Sequence, residues 1–194
     1  MTATVAKIIW LAFGIAWFVL RLRPGQRARR TPVRYSGRDK RELVLLGISL
    51  TGLGIVPFVY VVAHILRFAD YPVIPVLSYL GIAVDCAMLW LFHRTHRDLG
   101  HNWSVSLDLR DRHTLVTTGV YATVRHPMYA GFWLMALAQL LLLPNWIAGP
   151  AGLIGFGILF FGRVRREEDM MIAAFGEEYR AYMTRTARVV PWLY

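Results

Sequence analysis

Arg163 and Glu167 stand four residues apart in "RVRREED", so on a helix a guanidinium and a carboxylate face each other one turn apart. The cation suits an oxyanion and the carboxylate suits a positive charge, although the same spacing also makes an ordinary helix salt bridge. Upstream, "VYATVRHPMYAGFW" (Val120 to Trp133) sets Arg125 and His126 directly before Pro127 and an apolar run. Proline is tolerated in the first turn of a helix, where its missing N–H costs nothing. That leaves His126 beside free backbone donors suited to an anionic group. Gly119 marks a turn before Tyr121.

Other polar clusters are weaker. "HRTHRDLGH" offers His93, His96 and His101 with Asp98, and the first two share a helix face at i, i+3. With six His in the chain there are too few for a two-iron centre. A solvated cluster at the membrane surface is the expectation, with no metal. Asp85 is the one acid well inside an apolar run, within two turns of its expected cytoplasmic end, and is read as a structurally paired residue. Cys86 is the single cysteine, forms no intrachain disulfide, and is expected as a buried thiol.

The elements that must position these groups follow from composition. Of 194 residues 56% are hydrophobic, yet the formal net charge is +10. Such a chain keeps its apolar and basic parts in separate segments, as membrane proteins do. Five apolar segments, about 3–20, 43–66, 73–92, 128–143 and 146–161, approach the length that spans a bilayer as a helix. The last two flank "LPNW", a tight turn, and form a helical hairpin. Nine Lys and Arg lie in 21–42, five in 93–127 and six from 162 onward, which leaves only Lys7 and Arg67 elsewhere.

Five spans put those three segments on one side, and the positive-inside rule makes it the cytoplasm, with the N-terminus outside. Arg21, Arg23 and the basic run after them act as a stop-transfer flank, against a cleaved signal peptide. The fold expected is all-α: an integral, multi-pass membrane protein of one domain, 1–194, with five transmembrane helices and a cytoplasmic catalytic region. Segment 21–42 meets anionic lipid headgroups rather than nucleic acid, because only Tyr35 interrupts it with an aromatic ring. Gly149, Gly152 and Gly155 form a small-residue face that a neighbouring helix can approach. Oligomeric state is left open.

The ordered set "HTLVTTGVY", "RHPMYAG", "RVRREED" and "FGEEYRAYM" resembles the isoprenylcysteine carboxyl methyltransferase family. The resemblance covers about 99–191. It implies an integral-membrane enzyme that uses S-adenosylmethionine, with S-adenosylhomocysteine as product, and a lipid-like or prenylated acceptor arriving from the bilayer. It also implies a cofactor cradle of His113, Thr114, Leu115, Val116, Tyr121, His126, Pro127, Met128, Tyr129 and Glu167. Arg163 matches the arginine that meets the acceptor carboxylate.

Such a carboxylate is already ionised near neutrality and needs no general base. A phospholipid amine, the alternative acceptor, must first lose a proton, and His126 or Glu168 would be its base. A membrane reductase with a nicotinamide cofactor is a weaker alternative. A non-enzymatic scaffold or transporter is the alternative outside the enzymes, and the absence of repeat symmetry speaks against a transporter.

Overall fold

The computed structural model describes residues 1–30, 33–36, 39–100, 108–110 and 114–191. In chain order the elements are α1 (Ala3–Arg30), β1 (Val33–Ser36), α2 (Lys40–Leu50), α3 (Val56–Val62), α4 (Pro75–Leu99), β2 (Asp108–Arg110), α5 (Pro127–Leu142), α6 (Ala148–Phe175) and α7 (Glu177–Arg185). A π turn over Thr51–Ile55 joins α2 to α3, so the two run as one rod. Pro57 stands in the first turn of α3 and has no N–H to offer the turn behind it, which suits a widened turn at that point.

Each of the five expected apolar segments is helical. Ala3–Leu22, Lys40–Val62 and Pro75–Leu99 are long and apolar enough to cross a bilayer, and Pro127–Leu142 is a shorter apolar helix. Large apolar side chains such as Val76, Trp90, Ile154 and Phe161 are exposed, as helices facing hydrocarbon require. The chain is an integral membrane protein of helical fold.

Several expectations change in detail. The helix α1 continues through the basic residues to Arg30, so part of segment 21–42 is helix. The helix α4 likewise runs to Leu99 and carries His93 and His96. Asp85 is therefore about four turns from the end of α4 rather than within two. Cys86 is exposed on the outer face of α4 instead of buried. A two-stranded antiparallel pairing of β1 with β2, which the apolar pattern gave no sign of, joins the segment after α1 to the segment after α4.

Connections gather at two ends. At one, Asn145 at the tip between α5 and α6 donates through Nδ2 to the Leu66 carbonyl at 2.7 Å and to Asp70 Oδ1 at 2.8 Å. The backbone joins there as well, with Trp146 N donating to the Ala69 carbonyl at 2.9 Å. At the other end, Arg125 N and His126 N donate to the carbonyls of Ala187 and Arg188, both at 2.9 Å. The chain after α7 thus lies directly beside the start of α5.

Close helix contacts rest on glycine. A Cβ at Gly155 would stand 2.8 Å from the Ile48 carbonyl oxygen and 3.1 Å from the Gly52 Cα, so α6 meets the α2 rod backbone to backbone. This is the approach expected of the small-residue face on α6. The helices α4 and α5 run antiparallel, with Gly81 against Leu142 and Gly131 against Phe92.

Candidate functional site

The start of α5 is built by its neighbours. His126 is the N-cap of α5 and Pro127 its first residue. Gly119 has φ +63 and abuts the Asp98 side chain, and Val120 N donates to Asp98 Oδ2 at 3.0 Å. The turn expected at Gly119 is thereby fixed against the end of α4. It delivers Tyr121, which is buried and accepts at its carbonyl from the Tyr182 hydroxyl at 2.6 Å. Burial pushes the phenol of Tyr121 upward, so it stays neutral.

Glu168 organises the layer beneath. It is 3% exposed and receives Arg125 Nε at 2.6 Å and Arg188 through Nε at 3.0 Å and Nη2 at 2.8 Å. His126 Nε2 lies 3.4 Å from the same carboxylate. Burial alone would raise its pKa, but the contacts with His126, Arg188 and Arg125 outweigh that and hold the carboxyl well below the usual range. Arg125 also donates to the Thr186 carbonyl. An acid held this way is a poor proton acceptor, which removes Glu168 as the base of an amine reaction.

Glu167, one residue earlier, points the other way. Its side chain is 27% exposed and it accepts from the Tyr129 hydroxyl. His126 Nδ1 is 3.8 Å away and Arg163 Nε 3.6 Å away. The rings of His126 and Tyr129 stack at 5.4 Å, and the Arg163 guanidinium lies 5.9 Å from the Tyr129 ring centre. Arg163 is itself buried and ion-paired through Nη1 to Glu42 at 3.0 Å. Glu42, 1% exposed, comes from the first turn of α2.

Tyr121, Arg125, His126, Tyr129, Arg163 and Glu167 border one cavity of about 840 Å³. Of the positions expected in the cradle, Thr114, Leu115, Val116, Tyr121, His126, Pro127, Met128, Tyr129 and Glu167 line it together with Arg163. His113 lies outside the described residues, as does His101. Away from this polar end the cavity extends between α1 and the α2–α3 rod, past side chains such as Trp10, Phe18, Leu53 and Phe58. One space therefore joins charged groups to a long apolar arm. In the histidine cluster, the Nδ1 of His96 is 2.7 Å from the Phe92 carbonyl, which turns that nitrogen back onto its own helix.

Two residues of the site, Glu42 and Arg188, are not among the candidates drawn from the sequence, and the outcome for Asp85 differs from its expected pairing. Glu42 was signalled by Asp39, which caps α2 by accepting from Glu42 N at 2.8 Å. An N-cap residue three positions before an acid at the start of an apolar run places that acid at the mouth of a span. The partnership of Arg188 with Glu168 had no local signal, because it depends on the chain after α7 folding back. Asp85, expected to be paired, is buried with no hydrogen-bond partner for Oδ2.

A helical membrane protein with an interior cavity, charged at one end and apolar along its length, is the class that fold and site define. The model of the isoprenylcysteine carboxyl methyltransferase (ICMT) family matches residues 80–173, which bears out the resemblance read from the motifs. The human protein-S-isoprenylcysteine O-methyltransferase is 37% identical over 92 residues, which are 47% of this chain and 32% of that protein. The protein of the same name from Dictyostelium discoideum is 34% identical over 94 residues, 46% of this chain and 38% of its own. That from Xenopus laevis is 31% identical over 140 residues, 65% of this chain and 44% of its own. The chain thus spans about a third to under half of the length of these curated relatives. The solved structure of the eukaryotic intramembrane Ras methyltransferase ICMT (isoprenylcysteine carboxyl methyltransferase) matches with a TM-score of 0.54 at 23% identity, covering 81% of this chain and 54% of that one. At that identity the likeness is one of fold.

Proposed function

We propose that this chain is a single membrane-embedded unit that methylates the carboxylate of a lipid-borne, isoprenylcysteine-like acceptor, using S-adenosylmethionine. The observation that carries the reading is the one cavity that places Arg163, Glu167 and His126 at the head of an apolar arm. The relatives' names supply the acceptor class.

The residues present suit the cofactor. Glu167 offers a partly exposed carboxylate for a positive charge, the first turn of α5 offers backbone N–H groups for an anionic one, and Tyr121, Met128 and Tyr129 offer apolar walls. When bound, S-adenosylmethionine supplies a sulfonium methyl whose transfer to the acceptor oxygen leaves S-adenosylhomocysteine and moves no proton.

The chain's task is therefore alignment and exclusion of water rather than proton transfer. Arg163, ion-paired with Glu42 and lining the cavity, offers its guanidinium to the acceptor carboxylate. Tyr129 and His126 hold Glu167 in place from the α5 side. The apolar arm takes the lipid part of the acceptor out of the bilayer.

The proposed topology has five spans, the N-terminus outside, and the site at the cytoplasmic surface. The two groups of connections described above support it, since the basic segments fall at one end and the Asp70 and Asn145 turns at the other. The basic stretch after the first span then meets anionic headgroups.

The test is transfer of label from S-adenosylmethionine to N-acetyl-S-farnesylcysteine by the purified protein in nanodiscs, with phosphatidylethanolamine as the rival acceptor, from pH 6 to 9. Labelled methyl ester with no acceptor-linked rise above neutrality is expected. Label only in the phospholipid, rising as its amine deprotonates, would replace the carboxylate with the amine.

A further inference from the structure

The apolar arm of the cavity is not wholly apolar. Asp85 lines it and is 3% exposed, and its Oδ2 has no hydrogen-bond partner. Trp17 lines it too, and its Nε1 is likewise buried without a partner. An acceptor atom and a donor atom are thus both left over on the walls of one space.

Their depth can be read from the helix pairing. Phe92 packs against Gly131 and stands 6.0 Å, centre to centre, from the Trp17 ring. Gly131 is two residues from Tyr129, whose ring faces Arg163. Asp85 precedes Phe92 by seven residues on α4, which is roughly 10 Å of helix. Gly81 meets Leu142 and Phe92 meets Gly131, so the same antiparallel register sets Asp85 opposite Ala138, which is fully buried and has no polar side chain. Its neighbours along the arm, Met88 and Met135, are apolar as well.

A carboxyl in such surroundings is costly to keep unless something pairs with it. A plain hydrocarbon chain filling the arm would leave it unpaired at every turnover. We infer that Asp85 is a specificity residue for an acceptor whose lipid chain carries a hydrogen-bond donor, a hydroxyl or an amine, partway along its length. The donor would lie about two isoprene units from the reacting carboxylate, given the roughly 10 Å between the levels of Phe92 and Asp85. Trp17 Nε1, nearer the polar end, is placed to donate to an acceptor atom on the same molecule. This rests on the reading of the cavity as an acceptor site, and it names the chemical class that this chain's cavity selects.

Binding and transfer are measured separately to keep the two ideas apart. The full chain in nanodiscs is titrated calorimetrically with N-acetyl-S-farnesylcysteine and with the same thioether bearing a hydroxyl, or an amine, on its second isoprene unit. The wild type should bind at least one donor-bearing probe about tenfold or more tighter than the plain one. Asp85→Leu should abolish that preference and bind the plain probe at least as well as the wild type does. Asp85→Asn, which keeps an acceptor oxygen, should retain part of the preference. Because Asp85 Oδ2 holds no partner, Asp85→Leu should melt no lower than the wild type.

A wild type that prefers the plain chain or binds none of the three overturns the inference, as does a preference that survives Asp85→Leu. If Asp85→Leu melts lower and loses all probes alike, Asp85 is structural and the inference also fails. Tight, Asp85-dependent binding without methyl transfer from the same complexes would leave the inference standing and remove the methyltransferase reading instead.

Discussion

Arg163 Nη1 is 3.0 Å from Glu42 Oε1, an ion pair between the first turn of α2 and the end of the apolar half of α6. Both groups are buried, so neither has water to fall back on. Removing one partner of a buried pair leaves a bare charge and typically costs about 3–5 kcal/mol. Glu42→Ala should therefore lower the melting temperature in detergent markedly. Glu42→Ala combined with Arg163→Met should recover part of the loss, since no lone charge remains. Additive losses in that double variant would mean that the pair is not coupled.

The Glu168 cluster sets an acid limit. Its carboxyl is depressed in the folded chain, so the unfolded chain binds the proton more readily as pH falls. The stabilisation is complete above the ordinary carboxyl range near ~4.3 and is lost progressively below it. The melting temperature of the wild type should fall as pH falls from about 5 towards 3. Glu168→Gln should be less stable at neutrality, with Arg125 and Arg188 left short of a partner, and should show a flatter acid response. An acid response as steep in Glu168→Gln as in the wild type would place the sensitive carboxyl elsewhere.

Much of this arrangement was legible in the sequence because its signals are local. Hydropathy over some twenty residues marked all five helices, and Gly119 and Pro127 marked the turn and the helix start that present Tyr121 and His126. What was not legible depends on distant segments meeting. Glu42 reaches Arg163 only because Gly52 and Gly155 let α2 and α6 approach backbone to backbone. Arg188 reaches Glu168 only because the chain after α7 returns beside Val124. The length of α4 was misjudged for a further reason. Its last turns are polar, so hydropathy ends near Phe92 while the helix continues to Leu99.

Cofactor affinity should respond to the start of α5. His126 and Tyr129 both hold Glu167, and both line the cavity. Tyr129→Phe removes one hydrogen bond to a charged group, worth roughly 1.5–3 kcal/mol at most, and should weaken S-adenosylmethionine binding by about tenfold. His126→Ala should weaken it similarly and leave the protein folded. Calorimetric titration decides the matter, and unchanged affinity in both variants would remove this cradle.

Orientation is tested by reporter fusions after Arg30, Asp70, Arg110, Asn145 and Tyr194. On the proposed topology the second and fourth of these should report from outside and the rest from the cytoplasm. A cytoplasmic signal from Asp70 or Asn145 would reverse the proposed topology.

Arg163 offers the sharpest distinction between acceptors. Its Nη1 is ion-paired to Glu42, its Nε is buried without a hydrogen-bond partner 3.6 Å from Glu167, and both Arg163 and Glu167 line the cavity. If the acceptor is a carboxylate, replacing Arg163 removes a charge-assisted interaction worth roughly 1.5–3 kcal/mol, or at least about tenfold in kcat/KM. Glu42→Gln is the right background for this comparison, because Arg163→Ala alone strands the buried Glu42 and confounds activity with folding. In that background Arg163→Ala should lose acceptor turnover while S-adenosylmethionine affinity changes little. Arg163→Lys should restore only part, since a point charge cannot pair with Glu42's position and a second carboxylate as a planar fork can. For an amine acceptor the sign reverses. The guanidinium repels the protonated substrate, its removal is neutral or helpful, and activity climbs with pH as the ammonium deprotonates. Full carboxylate turnover by the Arg163→Ala variant would dismiss the arginine from acceptor binding.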